Sequence, residues 1–385
     1  MLFFIQWMGL ATWTVPLTLV LNAHGYAAIQ PLAFATGAVA AFVAPLFFGA
    51  MADRHMAPVR VLRRLAWGAA ITLAGVGLAI SWQWPGWAVL GLIQLYHLCS
   101  APTTSVSTAI TMAQMDAPKR QFGPVRALGT LGWMAGCLLI SLLNADSSPR
   151  AAFCGAITWG GLAGFTLFLP AVTPPAAAGR LTWQQRLGLD AITLLQHPDH
   201  RVIFLCACLL NIPLAAFYPY TPPQLVELGL RKSAAWMSLS QITEIFIMIL
   251  LGALLARWRL KWILLAGLGC ALARYGLFML NLKWGVITGI ALHGCVYTLF
   301  FTTSQIYVNE RVDPAWRTRA QALLTLMTSG AGYLIGYLAC GWWFHWCGGP
   351  DATRWPEFWG ALAVAVGGVT AYFLAAYRGR TRKHL

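Results

Sequence analysis

The chain has 385 residues, of which 59% are hydrophobic and 10% charged, and its formal net charge is +15. A soluble globular protein of this length would carry far more charge, so the composition excludes that class. The basic excess could indicate a nucleic-acid partner, but 20 of the 26 Lys and Arg residues lie in alternate loops between apolar runs and five in the opposite loops. This positive-inside pattern predicts a membrane protein whose termini and central loop face the cytoplasm, and it argues against nucleic-acid binding.

Apolar runs long enough to cross a bilayer follow one another along the chain, since about 20 residues of helix span the hydrocarbon core. We predict an all-α membrane protein with twelve transmembrane helices in two six-helix bundles, the architecture expected of a secondary transporter. The predicted spans are 2–22, 28–50, 65–82, 87–113, 126–144, 151–171, 201–222, 236–256, 262–281, 285–308, 318–345 and 356–377. The predicted domains are an N-terminal bundle (1–171), a cytoplasmic linker (172–200), a C-terminal bundle (201–377) and a cytoplasmic basic tail (378–385).

Two similar hexapeptides follow equivalent spans. GAMADR at 49–54 comes after the second span, and GALLAR at 252–257 comes after the eighth. Glycine and arginine recur at equal spacing, which supports two related halves of the chain. A chance match at the basic ends of two helices is the alternative.

The fifth span carries a polar stripe, because Arg126, Thr130 and Trp133 recur at helical spacing. A guanidinium, a hydroxyl and an indole face can hold a polar ring compound by hydrogen bonding and stacking. We therefore predict that this stripe binds substrate. The alternative is that Arg126 only anchors the cytoplasmic end of its helix, since Lys119 and Arg120 lie close by.

The linker is expected to contain a short helix. Thr182 and Gln185 have the spacing of a capping box. Trp183 and Leu187 would share one face of the helix, so we predict that it is amphipathic and rests on the membrane surface.

The eighth span contains an acid, Glu244, within an apolar run. A charge at the centre of a membrane helix costs about 2.5–3.5 kcal/mol, so Glu244 needs a partner, a water-filled cavity or a proton. A carboxyl group that takes up and releases a proton is what proton coupling requires, and Gln241 adds an amide on the same helical face. We predict that both residues bind substrate and that Glu244 couples protons. The alternative is a structural ion pair with Arg274, the one basic residue deep inside a span.

The tenth span places His293 and Tyr297 on one face. Two polar aromatic side chains at this spacing suit the wall of a ligand site, so we predict that both bind substrate. A packed hydrogen bond between helices would have the same sequence pattern.

Nine sequence stretches occur in an order that resembles one branch of the major facilitator superfamily, the nucleoside:H+ symporter family of bacterial nucleoside permeases. The stretches are PLFFGAMADR (45–54), APTTSVSTAI (101–110), PVRALGTLGW (124–133), RLGLDAITLL (186–195), SQITEIF (240–246), ALARYGLF (271–278), HGCVYTLFF (293–301), QIYV (305–308) and RAQALL (319–324). The resemblance implies a proton-driven nucleoside importer that works by alternating access. It also implies that Asp53 and Arg54 belong to the superfamily's gating loop, although His55 and Met56 replace the usual turn.

The resemblance also identifies residues of a nucleoside site. The residues that match the family's motifs are Arg126, Thr130, Gln241, Glu244, His293 and Tyr297. The chain departs from the family at three places, where Thr298 replaces an Asp, Thr108 an Asn, and Ala215 and Tyr218 a Gln and Asn pair. Because Thr298 cannot titrate, Glu244 would be the acid left for coupling.

We therefore expect a transporter of the bacterial inner membrane that carries nucleosides or a related polar ring solute with protons and acts as a monomer. The alternatives are a facilitator or symporter for another solute, such as a sugar, and a non-transporting sensor or assembly protein. The sequence has no metal-ligand cluster, Ser-His-Asp set or phosphate loop, so we predict no enzyme activity, metal or cofactor.

Overall fold

The computed structural model of the protein describes residues 1–54, 57–115, 118–170, 182–348 and 353–379, without the side chains of 44–54, 118–121, 123 and 124. These residues form helices and their connections, with one isolated bridge between Gly348 and Thr353. Asp53 and Arg54 end the second long helix. The side chains of this predicted gating pair lie outside the described part of the chain.

Twelve long helical segments follow one another in the described residues. Their bounds are α1 Leu2–Ala23, α2 Gln30–Arg54, α3 Pro58–Ser81, α4 Gly86–Ser100 continued by Thr103–Ala113, α5 Pro118–Leu142, α6 Arg150–Phe168, α7 Pro198–Glu227, α8 Ser233–Arg257, α9 Leu260–Met279, α10 Lys283–Arg311, α11 Arg317–Cys347 and α12 Trp355–Ala376. Within the described ranges, ten stretches are long and apolar enough to cross a membrane, and Ala27–Val43 of the α2 region is a shorter apolar helix. The predicted succession of spans is therefore present.

Several of these helices are interrupted within their length. The break in α4 falls at Ala101 and Pro102, because proline cannot donate the backbone hydrogen bond that would continue the helix. In α10 and α11 the segments Tyr297–Thr302 and Leu326–Gly332 are π-helical. Such bulges are frequent at functional sites, and the bulge in α10 begins at a predicted substrate residue.

The described chain packs as two compact units. Unit 1 is Met1–Leu181 with Tyr218–Gln241, and unit 2 is Thr182–Phe217 with Ile242–Leu385. The linker helix therefore belongs to unit 2, and the end of α7 with the start of α8 belongs to unit 1.

Asp146 shows why the start of α8 packs with unit 1. Its carboxylate accepts hydrogen bonds from the backbone N–H of Ala234, at 2.8 Å, and from the Ser233 hydroxyl, at 3.3 Å. The hydroxyl of Ser141 accepts from the N–H of Ala235 at 2.9 Å. An acid at a helix N-terminus satisfies unpaired N–H groups and complements the helix dipole.

In unit 1, α1 and α5 meet through two glycines. A Cβ atom at Gly132 would clash with the carbonyl oxygen of Phe4, and one at Gly136 would lie 2.7 Å from that of Met8. Small residues four positions apart let membrane helices approach backbone to backbone. This contact brings the α1 side chains, including Trp7, next to the polar stripe of α5.

Unit 2 repeats this arrangement between α7 and α11. A Cβ atom at Gly332 would lie 2.8 Å from the carbonyl oxygen of Cys208, and one at Gly336 would lie 2.5 Å from that of Ile212. Both pairs have a GxxxG sequence, GWMAG at 132–136 and GYLIG at 332–336. The two halves of the chain therefore share a second repeated feature, one that the sequence analysis missed.

The linker helix Trp183–Leu187 has the predicted capping box, because the Thr182 hydroxyl accepts from the Gln185 N–H and the Gln185 side chain accepts from the Thr182 N–H. Gly188 follows with φ +69° and lies against the α11 backbone, where any Cβ atom would clash with the Arg319 carbonyl. Asp190 forms a 2.9 Å ion pair with Arg319. These contacts hold the linker on α11. Trp183, at the start of the linker helix, remains exposed.

Candidate substrate site

In unit 1 the predicted stripe on α5 lies against aromatic side chains of α1. The Arg126 guanidinium carbon is 4.0 Å from the centre of the Trp7 ring and 5.8 Å from that of Phe3. A cation this close to an indole face is attracted by the ring's negative quadrupole. Gly129 makes room for the contact, since a Cβ atom there would lie 2.8 Å from an Arg126 nitrogen and 3.0 Å from Trp7.

Three aromatic side chains of unit 1, which we call the aromatic wall, are Trp7, Trp133 and Tyr218. The Trp133 ring centre lies 5.9 Å from that of Trp7 and 5.6 Å from that of Tyr218. Thr130, one turn before Trp133, is also buried. The stripe and the wall together present a cation, a hydroxyl and flat apolar faces.

The aromatic wall contains two hydrogen-bond donors that lack a partner within the described residues. They are the indole Nε1–H groups of Trp7 and Trp133, both removed from solvent. A buried donor without a partner costs about 1–3 kcal/mol. An acceptor atom of a bound molecule would recover this free energy, so the unpaired groups are consistent with a ligand site.

The part of α8 that carries Gln241 and Glu244 runs from unit 1 into unit 2. Gln241 is 5% exposed, and its side-chain oxygen accepts a hydrogen bond from the Ser240 hydroxyl at 2.8 Å. Glu244 is half-buried in unit 2. The Thr298 hydroxyl of α10 points to the backbone carbonyl of Glu244 at 3.5 Å, and the Thr243 hydroxyl donates to the carbonyl of Ala291. These contacts join α8 to α10 beside the acid.

Arg274 is fully buried in unit 2 and pairs with neutral groups. One terminal nitrogen donates to His293 Nδ1 at 2.6 Å, and the other donates to the Tyr275 hydroxyl at 2.6 Å. The guanidinium carbon also lies 5.3 Å from the Phe217 ring centre. Within the described residues no carboxylate pairs with Arg274, so the alternative of an ion pair with Glu244 is not what the structure shows.

The environment of His293 defines its tautomer. A guanidinium only donates hydrogen bonds, so Nδ1 must accept and the proton of the neutral ring is on Nε2. The Phe217 ring stacks on the imidazole, with centres 3.9 Å apart and planes 7° from parallel. His293 is therefore fixed on both sides by unit 2 side chains.

Tyr297 has different surroundings from His293, although both lie on α10. It is 36% exposed and begins the π-helical segment, and its ring centre lies 6.1 Å from that of Phe301. Tyr297 is thus the more accessible of the two predicted aromatic ligands.

The structure brings Arg126, Thr130 and Trp133 together as predicted and adds Trp7, which sequence reasoning missed. It joins His293 to Arg274 and places Thr298 next to the backbone of Glu244. Trp7 had no signal of its own, because an apolar aromatic residue near a helix start is common in membrane proteins.

Comparison with known proteins gives consistent matches along the chain. The family model described as Nucleoside H+ symporter matches residues 1–382. YegT of Escherichia coli strain K12, which is named as a candidate nucleoside transporter, is 33% identical over 349 residues, covering 87% of this chain and 81% of YegT. Xanthosine permease of the same organism is 22% identical over 378 residues, covering 92% of this chain and 89% of the permease.

A solved structure shows the same fold. The crystal structure of a mutant of the nucleoside transporter NupG superposes with a TM-score of 0.87 and covers 98% of this chain and 99% of NupG at 21% identity. The predicted all-α, twelve-helix major facilitator fold is confirmed by this likeness.

Proposed function

Because the chain belongs to the nucleoside H+ symporter family, we propose that it carries nucleosides into a bacterial cell in symport with protons. The observation that carries the proposal is the Arg126 guanidinium stacked on Trp7 beside two unpaired buried indole donors. These groups suit a flat, polar, uncharged ring compound better than an ion or a lipid.

The recognition chemistry follows from unit 1. A nucleobase can stack on the aromatic wall, which contributes about 0.5–1.5 kcal/mol for each aromatic pair. Its carbonyl or ribose oxygens accept hydrogen bonds from Arg126, Thr130 and the indole N–H groups. Gln241 supplies an amide that can donate and accept at a base edge. Tyr297 of unit 2 remains a proposed substrate residue because it matches the family's motif.

Glu244 is proposed to carry the proton. The sequence has eleven acids, of which the structure describes nine, and eight of these nine lie in loops, in the linker or within one turn of a helix end. Among the described acids, Glu244 is the one in the interior of a spanning helix. A carboxyl group there is stable when it is protonated or hydrogen-bonded, whereas an ionised carboxylate without such a contact has a high free energy. Thr298 cannot share this role, and its hydroxyl faces the α8 backbone.

His293 and Arg274 are proposed to act differently from the unit 1 stripe. Arg274 donates to His293 and fixes its ring in a defined tautomer, and His293 remains a proposed substrate residue because it matches the family's motif. Arg274 is a positioning residue in this proposal. Asp53 and Arg54 remain proposed gating residues, on the sequence pattern alone.

The basic loops support a location in the inner membrane with both termini in the cytoplasm. We further propose that the protein acts as a monomer, binds no nucleic acid and catalyses no covalent chemistry. Its partners are then the nucleoside, the proton and the bilayer.

Counterflow in proteoliposomes tests the proposal. Vesicles loaded with unlabelled uridine, adenosine or xanthosine should take up the labelled nucleoside, and vesicles without protein should not. Glucose and amino acids in the same assay address the alternative solutes. Absence of exchange for every nucleoside, from protein that unfolds cooperatively on heating, would favour a sensor or assembly role.

The replacement at Thr298 favours a second candidate, facilitated diffusion without coupling. An inward proton gradient distinguishes the two functions. A symporter accumulates nucleoside above the external concentration, whereas a facilitator only equilibrates it.

A further inference from the structure

A hollow lies where α8 ends and α9 begins, in a part of unit 2 that the proposed transport site does not use. Its volume is about 640 Å³, and its lining residues are Arg257, Trp258, Arg259, Trp262, Leu265 and Ala266. We call it the α8–α9 hollow. The basic residues here belong to the loops that carry the positive-inside pattern.

The charge of the hollow selects an anion. Arg257 and Arg259 are both exposed, and neither forms a hydrogen bond or ion pair with a residue that the structure describes. The described residues that line the hollow include no acid. Helix α9 begins directly after Arg259 and has no acid in its first turn, so its unpaired N–H groups add positive potential.

The apolar part of the lining selects a ligand with a hydrocarbon portion. Trp258 is 52% exposed and Trp262 is 53% exposed, while Leu265 and Ala266 form an apolar wall beside them. Indole rings favour the boundary between hydrocarbon and water, because one part of the ring is apolar and its N–H is polar. A free inorganic anion would use the arginines but not this surface.

The position of the hollow fits the same ligand. Both α8 and α9 have the length and hydropathy of membrane spans, and a connection of two residues separates them. The hollow therefore lies at the level of the lipid headgroups. Basic residues in this zone attract anionic lipids with about 1 kcal/mol each.

We propose that the α8–α9 hollow binds an anionic phospholipid, with Arg257 and Arg259 on the headgroup phosphate and with Trp258 and Trp262 against the glycerol and upper acyl region. Lipid binding in the hollow does not depend on which solute the protein transports. A positive or negative transport assay therefore does not test this proposal.

Native mass spectrometry of the purified full-length protein tests the proposal, with phosphatidylglycerol added stepwise in detergent. The test variant is R257Q/R259Q. The matched control is R231Q/K232Q, which removes two positive charges from another exposed loop. A third variant, R257K/R259K, keeps the charge of the hollow. Thermal unfolding without added lipid checks that all variants fold.

We expect R257Q/R259Q to bind phosphatidylglycerol on the order of tenfold more weakly than the wild type. The control should bind like the wild type, and R257K/R259K should recover most of the affinity. Phosphatidylcholine should show no difference among the variants, and excess inorganic phosphate should leave the bound phosphatidylglycerol in place.

Three results would overturn the proposal. The first is equal binding by R257Q/R259Q and the wild type, and the second is an equal loss in the control, which would indicate a general charge effect. The third is displacement by inorganic phosphate, which would make a free anion the occupant.

Discussion

Unit 1 and unit 2 use the same backbone contact but place their arginines in opposite environments. The glycine pairs Gly132/Gly136 and Gly332/Gly336 let two helices touch in each unit. Near the first contact, Arg126 stacks on an indole and stays partly exposed. In the other unit, Arg274 is fully buried among neutral partners.

The difference shows how arginines on two membrane-spanning helices can have separate tasks. Arg274 has neutral partners on both terminal nitrogens, and its burial leaves a ligand little access. Arg126 rests on a ring that can be shared with a stacked base, next to donors that need acceptors. Burial, more than charge, therefore distinguishes the proposed positioning arginine from the proposed binding one, since Arg274 is fully buried and Arg126 is partly exposed.

The largest effect on stability is expected at the glycine contacts, which both units share. G132V and G336V would drive a branched side chain into the carbonyls of Phe4 and Ile212, and each should cost about 3 kcal/mol of stability or prevent assembly. The thermal unfolding midpoint and the yield of monodisperse protein measure this.

Two glycines with open space around them provide controls, Gly161 in unit 1 and Gly276 in unit 2, since a Cβ atom at either has no neighbour within 4 Å. G161V and G276V should resemble the wild type. If G132V were as stable as G161V, the backbone contact would not hold α1 against α5.

The next largest effect is a difference in stability between variants of the two arginines. R274A removes the partner of His293 and Tyr275 and leaves a cavity, so we expect a loss of about 2–5 kcal/mol. R126A should change stability by less than about 1 kcal/mol, because its ring contact is partly exposed. Equal losses measured by thermal unfolding would remove the distinction between the two residues.

For substrate affinity we expect the opposite order, in which Arg126 matters more than Arg274. R126A should raise the nucleoside Kd about tenfold to hundredfold, since a hydrogen bond to a charged group contributes about 1.5–3 kcal/mol. R126K should recover only part of the affinity, because an ammonium lacks the flat guanidinium face. Isothermal titration measures both variants, and an unchanged Kd for R126A would contradict the proposed role.

A smaller effect is expected from the indole donors. W7F and W133F keep a ring and remove the unpaired N–H, so each should raise the nucleoside Kd about two- to tenfold. W13F serves as the control, because Trp13 also has a buried unpaired indole N–H on α1. An equal change in W13F would show that the effect is not specific to the aromatic wall.

The sequence predicted features that depend on local or periodic patterns. The capping box at Thr182 and Gln185 needs only a four-residue spacing, and it is present. The stripe of Arg126, Thr130 and Trp133 lies on a single helix, so helical periodicity was enough to bring its members together. The membrane spans follow from hydropathy for the same reason.

Features that depend on contacts between helices could not be predicted in this way. Trp7 joins Arg126 only because the glycines of α5 admit α1, and nothing in the α1 sequence indicates this register. The choice of His293 over Glu244 as the partner of Arg274 is likewise a tertiary outcome, since chemistry alone would favour the acid. Docking of the linker on α11 depends on Gly188 and Asp190, which the amphipathic pattern did not single out.

The most direct test concerns Glu244, because the proposed proton coupling depends on that single carboxyl group. Proteoliposomes with the wild type or E244Q are given labelled nucleoside, first with an inward proton gradient and then in counterflow without one. We expect E244Q to lose accumulation against the nucleoside gradient and to keep counterflow. Accumulation by E244Q equal to that of the wild type would contradict this expectation.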